Sequence, residues 1–146
     1  MQQYPKYSDL MRCINLSRRL EAIREDIEHA AAVRTGSLIR SGSGRTHSPG
    51  RNITEETAMK IIDLQAEEKA KTAEWKELFQ KLVKEIADSP GDRQTRDLIA
   101  YYYAFNVGLT AAAKMAVCSR KKAKEIIDAY TKAAYLYEYE DRKENT

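Results

Sequence analysis

Helix-breaking residues are scarce and clustered in this chain, and their positions leave long segments free to form uninterrupted helices. There are three prolines and six glycines, and five of the glycines lie between residues 36 and 50 or at Gly91. Glycine and proline are the least favourable residues in the interior of a helix. The 146 residues therefore favour an all-α fold, either one compact domain or a small domain with a helical extension.

Apolar residues in the first segment recur at steps of mostly three and four, which places them on one face of a helix. They are Leu10, Cys13, Leu16, Leu20, Ile23, Ile27 and Ala30. The stripe is as narrow as a coiled-coil seam. Ser8 is the candidate N-cap because its hydroxyl can accept a backbone hydrogen bond. The pattern ends near Val33.

A second long helix is predicted at residues 55–87, after a flexible loop at 35–52 that is rich in glycine and serine. The middle of this helix is almost wholly polar apart from alanines, so the helix needs a partner that covers its apolar seam. Antiparallel pairing with the first helix would form a coiled-coil-like hairpin over residues 8–88. Self-association is the competing explanation for the exposed seam.

The last third of the chain has the proportions of a helix-turn-helix. Ser89, Pro90 and Gly91 break the long helix, and the next helix starts at Asp92 or Thr95. Thr110 is the expected cap of a short helix that ends at Met115. A tight turn leads to a final helix that is capped by Ser119. We expect a small helix-turn-helix domain at residues 92–140.

The two helices of this motif need small residues where they cross, and four alanines in the short helix and the turn supply them: Ala111, Ala112, Ala113 and Ala116. The second helix of such a motif lies in the major groove of double-stranded DNA. Its first residues are the predicted DNA contacts: Ser119, Arg120, Lys121, Lys122 and Lys124. Arginine can bind guanine in a bidentate manner, whereas lysine mostly offers a point charge to phosphate. An ordinary solvated helix start has the same composition.

A second basic segment coincides with the predicted loop, where Arg40, Arg45 and Arg51 lie in a stretch without acidic residues. They are candidate phosphate contacts of a flexible arm. A connector that is kept in solution by its charge fits the pattern equally well.

Several features together suggest a family. They are the serine and glycine string at 41–44, Ile53, the sequence AMKIIDL at 58–64, the charged helix with Trp75, and Asp92 and Arg96 followed by aromatic residues. In this layout the chain resembles phage-encoded RinA/ArpU-like late-gene transcriptional regulators and a related phage family of unknown function. The resemblance covers roughly residues 8–137. It implies a coiled-coil hairpin followed by a helix-turn-helix like region 4 of sigma factors.

The chain departs from this family in the motif itself. The family usually has glycine in the turn, where this chain has Ala116 or Val117, depending on the register. The serine that opens the second helix could be Ser119, or Cys118 could occupy that position. The DNA-reading function could therefore have been lost or changed.

The predicted function is that of a phage-type DNA-binding transcriptional regulator. We expect it to form homo-oligomers and to contact host RNA polymerase or another host protein. The alternative is a helical interaction protein, either an inhibitor of a host protein or a packaging adaptor like a small terminase subunit. The sequence contains no nucleotide-binding loop, so we expect neither an enzymatic function nor a bound cofactor.

Metal binding and a membrane location are also not expected. His29 and His47 have no third ligand at metal-site spacing. No apolar run approaches the roughly 20 residues of a membrane span, and no signal peptide precedes the first helix. Cys13 and Cys118 are far apart and lie in apolar patterns, so we expect structural residues in a reduced interior, with Cys13 in the core. A cytoplasmic location in a bacterial host follows as the expectation.

Overall fold

The computed structural model describes residues 3–40 and 48–144, and their side chains at 3–32 and 55–144. Over these residues, five α-helices and one π-helical turn follow one another: α1 (Tyr7–Arg40), α2 (Ser48–Ala87), α3 (Arg93–Ile99), the π-helical turn (Ala100–Ala104), α4 (Leu109–Met115) and α5 (Arg120–Glu144). These elements confirm the predicted all-α class. None of the described helices combines the length and the apolar composition that a membrane crossing requires.

The two long helices extend further than the sequence predicted, so the loop proposed at 35–52 is too long. Helix α1 continues to Arg40, and α2 already begins at Ser48. Each added helical residue gains one hydrogen bond, which offsets the cost of about 1 kcal/mol for a glycine such as Gly36. Pro49 lies in the first turn of α2, where its missing N–H is not needed.

The predicted phosphate contacts of this segment stay predictions. Arg45 lies outside the described residues, and the side chains of Arg40 and Arg51 do as well.

Residue contacts divide the chain into two units, Met1–Ser17 with Trp75–Thr146, and Arg18–Glu74. This division differs from the boundary predicted between residues 88 and 92. The physical reason is that the start of α1 and the end of α2 share one core with the C-terminal helices. That core consists of Leu10, Cys13, Ile14, Leu16, Leu78, Leu82, Ile86, Ile99, Tyr103, Ile127, Tyr130 and Ala134.

The unit Arg18–Glu74 is the predicted pairing of α1 with α2. Its α1 side chains Leu20, Ile23 and Ala30 are buried. Polar residues in the middle of α2 contact α1 as well: Glu67 accepts hydrogen bonds from Arg19 at 2.7 and 3.0 Å. A looser ion pair joins Arg24 and Glu68 at 3.8 Å. Such exposed pairs contribute about 0–1 kcal/mol each, so the apolar contacts dominate.

The start of α1 is stabilised by a residue near the other end of the sequence. Helix α1 begins at Tyr7, so the predicted capping role of Ser8 is wrong. Ser8 instead donates two hydrogen bonds to the carboxylate of Glu138, from its N–H at 3.1 Å and its hydroxyl at 2.7 Å. Burial alone would raise the pKa of Glu138, but the Ser8 bonds and the charge of Arg142 outweigh it and lower the pKa.

The end of α2 is fixed by a buried chain of hydroxyl groups. Tyr130 donates to the Ser89 hydroxyl at 2.7 Å, and Ser89 donates to the carbonyl of Ile86 at 2.6 Å. Burial raises the pKa of Tyr130 to about 12. The tyrosine therefore stays neutral and serves as a packing residue with a satisfied hydroxyl.

Cys13 and Cys118 are both free thiols, and Cys13 is buried in the core, as the sequence predicted. Burial in the core raises the pKa of Cys13 to about 11. A thiol of this kind is a small apolar core residue rather than a reactive group.

Candidate nucleic-acid interface

Helix α4, the first helix of the motif, begins after a glycine and not at the expected threonine cap. Gly108 has φ +87° and precedes the helix, which starts at Leu109. The carbonyl of Gly108 accepts the N–H of Ala112 at 3.0 Å. Thr110 lies inside the first turn, so the predicted cap at Thr110 is wrong. A positive φ favours glycine, which has no Cβ to clash with the backbone.

A small core of mostly methyl-sized side chains joins α3, α4 and α5. Leu98, Ala112, Ala113 and Ala123 are its buried members. Ala116 is half-buried against it, as the sequence predicted, whereas Ala111 is not part of this core. Side chains of this size let the helices approach closely, because the distance between helix axes depends on the residues at the contact.

The turn between α4 and α5 is a Schellman motif with valine at the left-handed position. The N–H of Cys118 binds the carbonyl of Ala113 at 3.0 Å, and the N–H of Val117 binds that of Lys114 at 3.2 Å. Val117 has φ +56°. Glycine usually occupies this position. The register left open by the sequence is thereby fixed: Val117, and not Ala116, stands in the place of the expected glycine.

The backbone of Val117 is strained, and its side chain packs against few other residues. A left-handed backbone costs roughly 1–2 kcal/mol for a residue with a Cβ, and β-branched residues are rare there. The side chain is 85% exposed, so burial offsets little of this cost.

Helix α3 supports the turn through a side-chain contact. Asp92 caps α3, since its carboxylate accepts the N–H of Thr95 at 2.8 Å. Of the two predicted starting points, Asp92 and Thr95, the structure therefore confirms Asp92. Two residues later, the side-chain amide of Gln94 donates to the carbonyl of Ala116 at 3.1 Å. Local sequence patterns carry no signal for this contact, because the partners belong to different segments of the chain.

Helix α5 starts where the sequence predicted. The hydroxyl of Ser119 accepts the N–H of Lys122 at 3.1 Å, which confirms Ser119 as the cap. The predicted contact residues are all exposed: Ser119, Arg120, Lys121, Lys122 and Lys124. The first turn of α5 contains no acidic residue. The positive end of the helix dipole therefore adds to four cationic side chains.

The surroundings of this start are mostly cationic as well. Lys114 on α4 is exposed, and the side chain of Arg93 on α3 is 92% exposed. Acidic residues lie there too: Asp97 forms an ion pair of 3.8 Å with Arg93, and Asp92 precedes α3. Hydrogen bonds from Thr95 lower the pKa of the Asp92 carboxyl, and the charge of Lys122 contributes to the shift. The carboxylate thus stays ionised beside one of the predicted contact residues.

Sequence reasoning missed Glu125 in this region. This exposed carboxylate lies one helical turn after Lys121, among the lysines of α5. Its spacing of four residues from Lys121 was the available signal, since residues four apart share a helix face.

Comparison with known proteins found no matching family model and no significantly similar curated protein or solved structure. Within the described residues, no group of three or more His, Cys, Asp or Glu side chains is placed to hold a metal ion. His29 is exposed, and the prediction for His47 lies outside the described residues.

Proposed function

We propose that this chain is a phage-type DNA-binding transcriptional regulator that binds double-stranded DNA through α4, the turn and α5. One observation carries the proposal: the cationic start of α5 is exposed, and α4 and α3 hold it through a small alanine-rich core. In helix-turn-helix proteins, the corresponding end of the second helix meets base edges and phosphates.

The electrostatics of this end suit a polyanion. The four cationic side chains are exposed, and the first turn of α5 contains no acidic residue. Each lysine or arginine that neutralises a phosphate of duplex DNA releases condensed counterions. The logarithm of the affinity then falls with the logarithm of the salt concentration by about 0.9 per neutralised phosphate.

The biological setting of the proposal comes from the sequence resemblance. The phage origin, the cytoplasmic location in a bacterial host and a contact with host RNA polymerase all rest on that layout. Self-association has separate support in the unit Arg18–Glu74. There Met59 and Ile62 are 67% and 63% exposed and lie three residues apart, on one face of α2.

The experiment is a fluorescence anisotropy titration of a labelled DNA duplex with the full chain at several salt concentrations. The variant R120A/K121A/K122A should bind more weakly. Its salt slope should be smaller by up to about 2.7, which is about 0.9 for each of the three phosphates that the variant leaves unneutralised. The matched control K60A/K84A/K132A removes the same charge from exposed positions elsewhere. The control should keep most of the affinity.

The folding of the variant can be judged independently. Cations at a helix N-terminus oppose the helix dipole, so their removal should leave the melting temperature unchanged or slightly raised. Equal affinities of the wild type and R120A/K121A/K122A would refute the proposal.

A helical interaction protein of phage origin is the second candidate, and the exposed Met59 and Ile62 favour it too. This protein would not bind DNA in the titration. A ring-forming oligomer in light scattering would then indicate a packaging adaptor. A one-to-one complex with a host protein would indicate an inhibitor.

A further inference from the structure

Two side chains of opposite charge, Lys121 and Glu125, lie on the outer face of α5. The buried residues Ala123, Ile127 and Tyr130 define the inner side of this helix. With about 100° of rotation per residue, Lys121 and Glu125 each lie about 160° from the direction of Ala123. Both are exposed. They therefore occupy the middle of the surface that α5 presents outward.

The remaining cations lie on the two flanks of this outer face. Arg120 and Lys124 lie about 60° and 100° from Ala123 on one side, and Lys122 lies about 100° away on the other side. A helix in the major groove has a phosphate backbone on each flank and base edges opposite its outer face. The flanking residues thus match the phosphates, and Lys121 and Glu125 match the bases.

A carboxylate at this position needs a specific partner. It is repelled by phosphate and can only accept hydrogen bonds when it is ionised. In the major groove, the amino groups of cytosine and adenine are the base donors. Adenine also presents its N7 acceptor beside that amino group, which repels a carboxylate. Cytosine presents the donor alone and is the better match.

We infer that Glu125 is a specificity-determining residue that accepts a hydrogen bond from the amino group of a cytosine in the bound DNA. This inference rests on the proposed function. Lys121, one turn earlier, faces the neighbouring base edges, and the flanking cations supply the sequence-independent affinity.

An ion pair between Lys121 and Glu125 does not explain the position of the carboxylate. Lysine four residues before glutamate is the less favourable order on a helix. Exposed pairs of this type are weak and readily exchanged for other partners. Glu125 can thus bind a base when DNA is present.

The inference predicts a change of base preference. Binding sites of the full chain are selected from a random pool of duplexes and sequenced, for the wild type and for Glu125→Gln. The wild type should select cytosine at one position. Glu125→Gln should select adenine there, because glutamine binds the N6 and N7 groups of adenine together. Its preference for cytosine over adenine should fall by about 5- to 150-fold.

Two further variants sharpen the test. Glu125→Ala should accept any base at that position and keep the wild-type preference elsewhere in the site. Glu140→Gln makes the same charge change at an exposed position near the end of α5 and should select the wild-type site.

The outcomes separate the two levels of the hypothesis. If Glu125→Gln and Glu125→Ala select the wild-type base at every position, Glu125 does not determine specificity, while DNA binding stands. If the wild type binds no duplex even at low salt, both the inference and the proposed function are refuted. Circular dichroism of each variant confirms that it is folded.

Discussion

Replacing Val117 by glycine should stabilise the protein, because the residue occupies a backbone conformation that suits glycine. Val117 has φ +56° at the end of α4, where the Schellman hydrogen bonds hold it. A side chain with a Cβ costs roughly 1–2 kcal/mol there. The upper end of this range applies to valine, since branching at Cβ adds to the crowding.

Two smaller effects oppose this gain. Glycine gives the unfolded chain more freedom, which costs about 0.5–1 kcal/mol. Full burial of valine is worth roughly 1.5–3 kcal/mol, but Val117 is 85% exposed, so its removal costs only about 0.2–0.5 kcal/mol. The net stabilisation should be about 0.5–1 kcal/mol. With a urea m-value of about 2 kcal/mol per M, the midpoint should rise by about 0.3–0.5 M.

Equilibrium urea denaturation followed by circular dichroism measures this shift, and two control variants test its cause. Val117→Ala keeps a Cβ in the left-handed region and should gain less than Val117→Gly. Ala116→Gly changes the preceding residue, which has φ −88°, and should destabilise by about 0.5–1 kcal/mol. The strain argument is wrong if Val117→Gly is no more stable than Val117→Ala.

Two further predictions concern contacts between distant helices. Glu138→Gln should destabilise the protein by about 1–3 kcal/mol at neutral pH, because it replaces the carboxylate that binds Ser8. Since the pKa of Glu138 is lowered by folding, the wild type should lose this stabilisation as the pH falls through and below the ordinary glutamate range. Urea midpoints of Glu138→Gln should lack that part of the acid dependence, and an identical pH profile would contradict the assignment. Gln94→Ala should lose about 0.5–1.5 kcal/mol with the bond to Ala116. The exposed control Gln80→Ala should change the midpoint little, and equal effects of both variants would argue against a role of Gln94 at the turn.

Local signals in the sequence predicted most of the helices and the start of the candidate interface. Ser119 was identified as a cap from its position before a helical pattern, and its hydroxyl accepts the N–H of Lys122. The break at residues 89–91 and the seam of α1 were predicted in the same way. These features depend on neighbours within one or two helical turns, which a single sequence displays directly.

The two wrong cap predictions concern residues of a type that often caps helices but that has another role in this structure. Serine is a common cap residue, yet the N–H and the hydroxyl of Ser8 donate to Glu138, which is distant in the sequence. Threonine is also a common cap residue, but α4 begins at Leu109 after Gly108, so Thr110 already lies inside the helix.

Irregular backbone was the second source of error. The π-helical turn at Ala100–Ala104 adds one residue to a turn of helix. Three consecutive tyrosines at 101–103 offer an aromatic ring in every register, so periodicity does not reveal the extra residue. The strained conformation of Val117 was hidden for a similar reason, because the register of the motif allowed either Ala116 or Val117 at that place.

The bond between Ser8 and Glu138 constrains the order in which the newly made protein can fold. The two residues are 130 positions apart. At roughly 5–20 residues per second, a ribosome adds Glu138 on the order of ten seconds after Ser8. The contiguous stretch Arg18–Glu74 can assemble while synthesis continues, whereas the other unit must wait for the last part of α5. A chain that ends before Glu138 would therefore leave the N–H and the hydroxyl of Ser8 without their acceptor.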